Sequence, residues 1–204
     1  MRRSVEGQII YIGQAEHEVS ADPNVVLSTI LGSCVAVCLY DPVRLVGGMN
    51  HFLLPESVGG SSKDLFFGAN LMETLINGLM KLGAPKRNLK AKLFGGANVI
   101  VEGSTVGERN SVFARSFLRD EGIECVSESL GGDRARRIRF WPTTGRVSQL
   151  RLSPTDVRND LLALPPAPLA GTGSDGLELW DDSPHPSAAG SDRAQSPRKT
   201  RRSA

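Results

Sequence analysis

Two residues capable of acyl-transfer chemistry lie close together in the first quarter of the sequence. Cys34 follows Gly32-Ser33 inside Leu31-Gly32-Ser33-Cys34-Val35-Ala36-Val37, and His51 lies in Val46-Gly47-Gly48-Met49-Asn50-His51-Phe52-Leu53-Leu54-Pro55. A glycine two residues before a cysteine permits a tight backbone path and close approach of a substrate. The thiolate is the nucleophilic form, so such a cysteine needs a base or a positive charge beside it. A free cysteine in an apolar strand can equally be core packing, and a histidine can be held by a backbone hydrogen bond. If the two apolar runs pair, however, the imidazole can face the thiol. A cysteine–histidine pair with a third polar group orienting the ring is a general arrangement for acyl transfer. Ser28 and Thr29 are the candidates for that group. Strand alternation places Ser28, Ile30, Gly32 and Cys34 on one face, so Ser28 is the expected partner of His51 and Thr29 its rival.

Other polar groups suggest less. Cys38 shares parity with Cys34 and is expected in the core. Cys34, Cys38 and His51 fall one short of a four-ligand zinc site and Cys125 is remote, so no metal and no cofactor is expected. His17 and His185 sit in polar contexts and read as solvated. Phe94-Gly95-Gly96-Ala97-Asn98 lacks the spacing of a phosphate loop and reads as a turn or the rim of a site. Gly131-Gly132-Asp133-Arg134-Ala135-Arg136-Arg137 reads as a turn whose Arg134, Arg136 and Arg137 could meet an acidic partner surface.

The elements that must position these groups alternate between strand and helix. Gln8–Ile12 reads as a short strand. Val25–Tyr40 contains a β-branched run ended by Asp41-Pro42, and Leu45–Leu54 is a second run able to pair with it as a hairpin. Leu65–Leu82 carries Ala69, Met72, Ile76 and Leu79 at helical spacing, with Gly83 and Pro85 as the stop. Leu89–Val101 is strand-like and broken at Gly95-Gly96. Gly107–Glu121 reads as a helix with Val112, Phe113, Phe117 and Leu118 inward and Gly122 as its cap. Ile123–Leu130, Arg136–Trp141 and Arg146–Leu152 read as strands. The expected fold is α/β, a single-domain layered sandwich with a mixed, largely antiparallel sheet and two main helices on one side.

Composition sets the frame. The chain has 204 residues, 40% hydrophobic and 23% charged, with a net charge of +2. This suits a soluble globular chain and gives no basic face for nucleic acid. No apolar run is long enough for a membrane helix, and the charged N-terminus has no signal-peptide core. Three cysteines argue for a reducing compartment, so a cytoplasmic location is expected. Seven of the 12 prolines fall in 153–204, which divides the chain into a domain over 1–152 and a Pro-rich, disordered tail over 153–204. Within the tail, Gly176–Asp182 and Arg198–Arg202 are short-motif candidates against a default of solvated linker.

Taken together, five blocks carry a resemblance. Leu31–Cys38, Gly47–Pro55, Phe94–Asn98, Gly107-Glu108-Arg109-Asn110 and Gly131–Arg136 resemble, in order and spacing, the CheD family of chemoreceptor glutamine deamidases over about residues 8–152. The resemblance implies an α/β sandwich that hydrolyses selected glutamine side chains of methyl-accepting chemotaxis receptors to glutamate, releasing ammonia. It maps the nucleophile to Cys34, the histidine to His51 and the family's threonine to Ser28, where the hydroxyl is kept and the methyl lost. It also implies binding to a CheC-type phosphatase. A non-enzymatic adaptor of that phosphatase is therefore the competing expectation, with a cysteine amidase or thioesterase on small molecules as a third class.

Overall fold

A computed structural model describes residues 7–54, 62–98, 105–153 and 155–157. The chain separates into two compact units, Met1–Pro165 and Pro166–Ala204, and every described residue belongs to the first. The expectations for His185, the tail motifs and residues 99–101 lie outside the described residues.

Nine strands and two α-helices follow in the order β1 Gln8–Tyr11, β2 His17–Ser20, β3 Val25–Leu31, β4 Val35–Asp41, β5 Val46–Phe52, α1 Ser62–Lys81, β6 Lys90–Gly95, α2 Val106–Asp120, β7 Glu124–Leu130, β8 Arg136–Trp141 and β9 Arg146–Arg151. They form two sheets. A four-stranded sheet has the order β1-β3-β8-β9, and a five-stranded sheet the order β2-β5-β4-β6-β7. Pairing is antiparallel except for β1 with β3 and β6 with β7. Both helices pack on the five-stranded sheet. The layers are therefore four-stranded sheet, five-stranded sheet, helices.

The middle layer is covered on both faces, which explains why β4 and β5 read as continuous apolar runs rather than alternating ones. Alternation still sorts their side chains. Val35, Val37, Leu39 and Phe52 face the helices, against Leu71, Met72, Leu75, Leu79 and Leu118. Ala36, Cys38 and Met49 face the other way and pack with Leu27, Leu31, Ile138 and Phe140 of the four-stranded sheet. The hairpin between β4 and β5 closes on Asp41, whose carboxylate accepts from the backbone N–H of Val43 at 2.7 Å and of Arg44 at 3.0 Å. Helix α1 ends where Gly83 takes φ +90° and its N–H bonds the Met80 carbonyl.

The Val25–Tyr40 run is two strands, not one. β3 belongs to the four-stranded sheet and β4 to the five-stranded sheet, so Gly32-Ser33-Cys34 is a crossover between layers. Only β4 forms the hairpin with β5. Two side-chain placements also differ from expectation. Val112 is 52% exposed, and the buried face of α2 is Gly107, Asn110, Ser111, Ala114 and Leu118. Arg136 is buried rather than presented to a partner: its guanidinium donates to the carbonyls of Ser129, at 2.6 Å, and Gly131. It holds the Gly131-Gly132 turn from inside, and of the three arginines Arg134 is exposed. Strand β2 gave no sequence signal, because four half-buried residues, His17–Ser20, at a sheet edge carry no apolar period.

Candidate active site

The site forms where the crossover between sheets meets the end of β5. In the β4–β5 ladder Ala36 stands opposite His51. Cys34 lies two residues before Ala36 and packs in the layer between the sheets, beside Ala36 and Cys38. His51 occupies the same layer, since its ring reaches Thr29 of β3. The structure thus brings Cys34 and His51 to one face of one sheet. Cys34 is partly exposed, while Cys38 is fully buried and burial pushes its thiol far up, as a core cysteine requires.

The hydroxyl that meets the His51 ring belongs to Thr29. Its hydroxyl lies 2.8 Å from Nδ1 of His51. Ser28 does not meet the ring; its hydroxyl donates to the Ile138 carbonyl at 3.0 Å. The expectation for Ser28 counted alternation through an unbroken strand to Cys34. The crossover at Gly32-Ser33-Cys34 interrupts that count, so the β3 residues facing the other sheet have odd numbers and Ser28 points away.

Hydrogen-bond accounting assigns the imidazole tautomer. The one hydroxyl proton of Thr29 is directed to the Ile12 carbonyl at 2.8 Å. Its oxygen is then an acceptor toward His51 Nδ1. The Ile12 carbonyl, which can only accept, also lies 3.3 Å from Nδ1. Both neighbours require the proton on Nδ1, which leaves the lone pair on Nε2. Nε2 is buried and has no hydrogen-bond partner in the described structure, and the residue is 7% exposed. A buried ring nitrogen left without a partner costs free energy, of the order of 1–3 kcal/mol, and functional groups are one reason such atoms persist. The His51 backbone is fixed too. Its N–H bonds the Glu16 carbonyl at 3.0 Å and its carbonyl accepts from Ala15 at 2.8 Å.

Electrostatics favours neutral partners at rest. Burial pulls the His51 pKa down, opposed by the bond to Ile12 and by the Glu16 carboxylate. Burial also raises the Cys34 thiol above its ordinary value, opposed by its own backbone N–H. A thiol and an imidazole that are both shifted toward their neutral forms do not make a preformed ion pair.

The crossover itself is clamped at three carbonyls. The Gly32 carbonyl accepts from the Ala97 N–H at 2.8 Å, and the Cys34 carbonyl from the Gly96 N–H at 2.7 Å. The Ser33 carbonyl accepts from Asn110 Nδ2 at 2.8 Å. Gly95 has φ +111°, and a Cβ there would stand 2.1 Å from the Cys34 carbonyl oxygen, so only glycine fits. The next turn joins the same scaffold: Gly131 N–H bonds the Gly95 carbonyl at 2.9 Å, and Asn98 N–H the Gly132 carbonyl at 2.8 Å. The glycine-rich segments are therefore the seat of the Cys34 turn. Among the described residues no group of three or more His, Cys, Asp or Glu is placed to hold a metal. Sequence reasoning missed the Ile12 carbonyl and the Asn110 contact. A backbone carbonyl carries no residue signal, and Asn110 joins through tertiary structure alone.

The comparisons with known proteins identify the family. The family model described as CheD chemotactic sensory transduction matches residues 53–151. A Cereibacter sphaeroides protein named probable chemoreceptor glutamine deamidase CheD is 52% identical over 149 residues, 73% of this chain and 75% of that protein. Relatives of the same name are 53% identical in Sinorhizobium medicae, covering 75% of this chain and 85% of that protein, and 54% identical in Agrobacterium fabrum, covering 71% and 80%. This chain belongs to the CheD family.

Proposed function

We propose that this protein is a chemoreceptor glutamine deamidase in which Cys34 is the nucleophile, His51 the general acid and base, and Thr29 the residue that orients His51. The observation that carries the reading is the buried Nε2 of His51, left without a partner while Nδ1 is held by Thr29 and Ile12, on the sheet face that also carries Cys34. The names of the relatives supply the substrate class.

The reaction follows from these groups. His51 Nε2 accepts the Cys34 proton as the thiolate attacks the carboxamide carbon of a receptor glutamine. Negative charge then develops on the carboxamide oxygen. In a trans peptide the carbonyl and the following N–H point in opposite directions. The carbonyls of Gly32 and Ser33 are held by Ala97 and Asn110, so the N–H groups of Ser33 and Cys34 are turned away from those anchors. They are the donors proposed for the oxyanion. Imidazolium His51 protonates the departing ammonia, and a thioester remains on Cys34. Water, deprotonated by His51, hydrolyses the thioester, giving glutamate and the free thiol. The Nδ1 proton stays with Thr29 and Ile12 throughout, and imidazolium formation needs no ring flip.

The substrate places the protein in the cytoplasm with the receptors' helical signalling regions. Among the described residues no helix is long and apolar enough to cross a membrane. A CheC-type phosphatase is the proposed regulatory partner. Ammonia release from a purified receptor cytoplasmic fragment tests the reading: Cys34→Ala and His51→Ala each abolish turnover, and near wild-type turnover in either overturns it. Loss of receptor modification on thiol alkylation, with partner binding retained, favours the enzyme over the adaptor.

A further inference from the structure

Helix α2 contributes one fully buried polar side chain that makes a second contact besides its hold on the Ser33 carbonyl. Asn110 is 0% exposed, and both ends of its carboxamide are engaged. Oδ1 accepts from the Leu54 N–H at 2.9 Å, three residues past His51. Nδ2 donates to the Ser33 carbonyl at 2.8 Å, immediately before Cys34. One carboxamide therefore ties the histidine strand to the cysteine turn. The helix lies close against the glycine turn: a Cβ on Gly107 would stand 2.4 Å from the Gly96 carbonyl oxygen.

The consequence lies in the peptide plane. The Ser33 carbonyl and the Cys34 N–H belong to one rigid unit and point in opposite directions. Whatever holds the carbonyl aims the N–H. Burial raises the Cys34 thiol, and its own backbone N–H opposes that rise, so the direction of this amide bears on the sulfur as well. We propose that Asn110 is a positioning residue for the reaction: by holding the Ser33 carbonyl it fixes the direction of the Cys34 amide, and by holding Leu54 it keeps the end of β5 in register with that turn. The proposal rests on Cys34 being the nucleophile. Only a side chain of this length with a donor at one tip and an acceptor at the other serves both contacts. Aspartate keeps the acceptor for Leu54 but turns an oxygen toward the Ser33 carbonyl.

The three cysteines make the test self-controlled. Cys34 reports on the site, exposed Cys125 on intrinsic reactivity, and buried Cys38 on loss of the fold. Asn110→Ala and Asn110→Asp are assayed for kcat and KM on a receptor cytoplasmic fragment, and for iodoacetamide labelling of each cysteine by mass spectrometry. A misdirected donor predicts kcat lower by about 10–100-fold with KM within about threefold, less than the roughly 100–1000-fold that outright loss of such a donor costs. Cys34 labelling slows relative to Cys125, and Cys38 stays protected. If Asn110→Ala alone exposes Cys38, Asn110→Asp decides. Kcat within about twofold of wild type in a variant with Cys38 protected overturns the proposal. Exposure of Cys38 in both variants also overturns it, because Asn110 would then be a support of the fold. The underlying reading fails separately, by activity in Cys34→Ala.

Discussion

Thr29→Val and Ser28→Ala, compared side by side, probe the orientation of His51 most sharply. Valine matches the shape of threonine and removes only the hydroxyl. That hydroxyl makes two buried contacts at 2.8 Å, one to the Ile12 carbonyl and one to His51 Nδ1. The Ile12 carbonyl remains 3.3 Å from Nδ1, so the tautomer survives while the ring loses its shorter anchor. Inverting the tautomer in a catalytic triad costs about 10⁴-fold. Loss of an anchor with the tautomer kept corresponds to a weakened orientation of about 1–3 kcal/mol, which is roughly 5–150-fold in rate. Thr29→Val is therefore expected to lower kcat/KM for ammonia release from a receptor fragment by about 10–100-fold. Thr29→Ser keeps the hydroxyl and stays within about threefold. Ser28→Ala removes a buried bond to the Ile138 carbonyl that does not touch the site. It costs about 1 kcal/mol of stability and leaves the rate within about twofold. A tenfold loss in Ser28→Ala beside wild-type turnover in Thr29→Val would refute the assignment.

Three further outcomes follow from the same geometry. Burial raises the Cys34 thiol, so its alkylation accelerates up to and beyond the pH at which an ordinary thiol has ionised; fast labelling at pH 6 would instead reveal a preformed thiolate. His51 is depressed, so the unfolded chain takes up its proton first as pH falls; this contribution to stability is whole above about pH 6.5 and is lost progressively below it, which thermal melts across pH 5–8 would register. Gly95→Ala drives a Cβ into the Cys34 carbonyl at a positive φ and is expected to lower the melting temperature and abolish turnover together; an active, stable variant would mean that the crossover is not clamped as described.

Much of this was legible in the sequence, for identifiable reasons. The helix over α1 and the strands β8 and β9 follow from apolar period and turn residues, which are local properties. Cys34 and His51 became candidates because the two apolar runs that carry them could pair, and β4 and β5 do pair. The layer change at Gly32-Ser33-Cys34 was not, since a doubly covered sheet removes the polar alternation that would have marked the break between β3 and β4. That one break moves the hydroxyl contact to His51 from Ser28 to Thr29. Arg136 misled for a related reason. A basic cluster predicts a solvated surface, and only tertiary structure shows a guanidinium turned inward onto carbonyls. Val112 was misplaced on α2 because the helix buries its small and polar residues, Gly107, Asn110 and Ser111, against the crossover.

Mass mapping of a receptor cytoplasmic fragment after incubation with the wild-type protein, with Cys34→Ala and with His51→Ala tests the central claim most directly. Wild type should add about one mass unit at particular glutamines, the difference between a carboxamide and a carboxylic acid, and neither variant should add any. Conversion of the same glutamines by Cys34→Ala would show that the sulfur is not the nucleophile and would contradict the account.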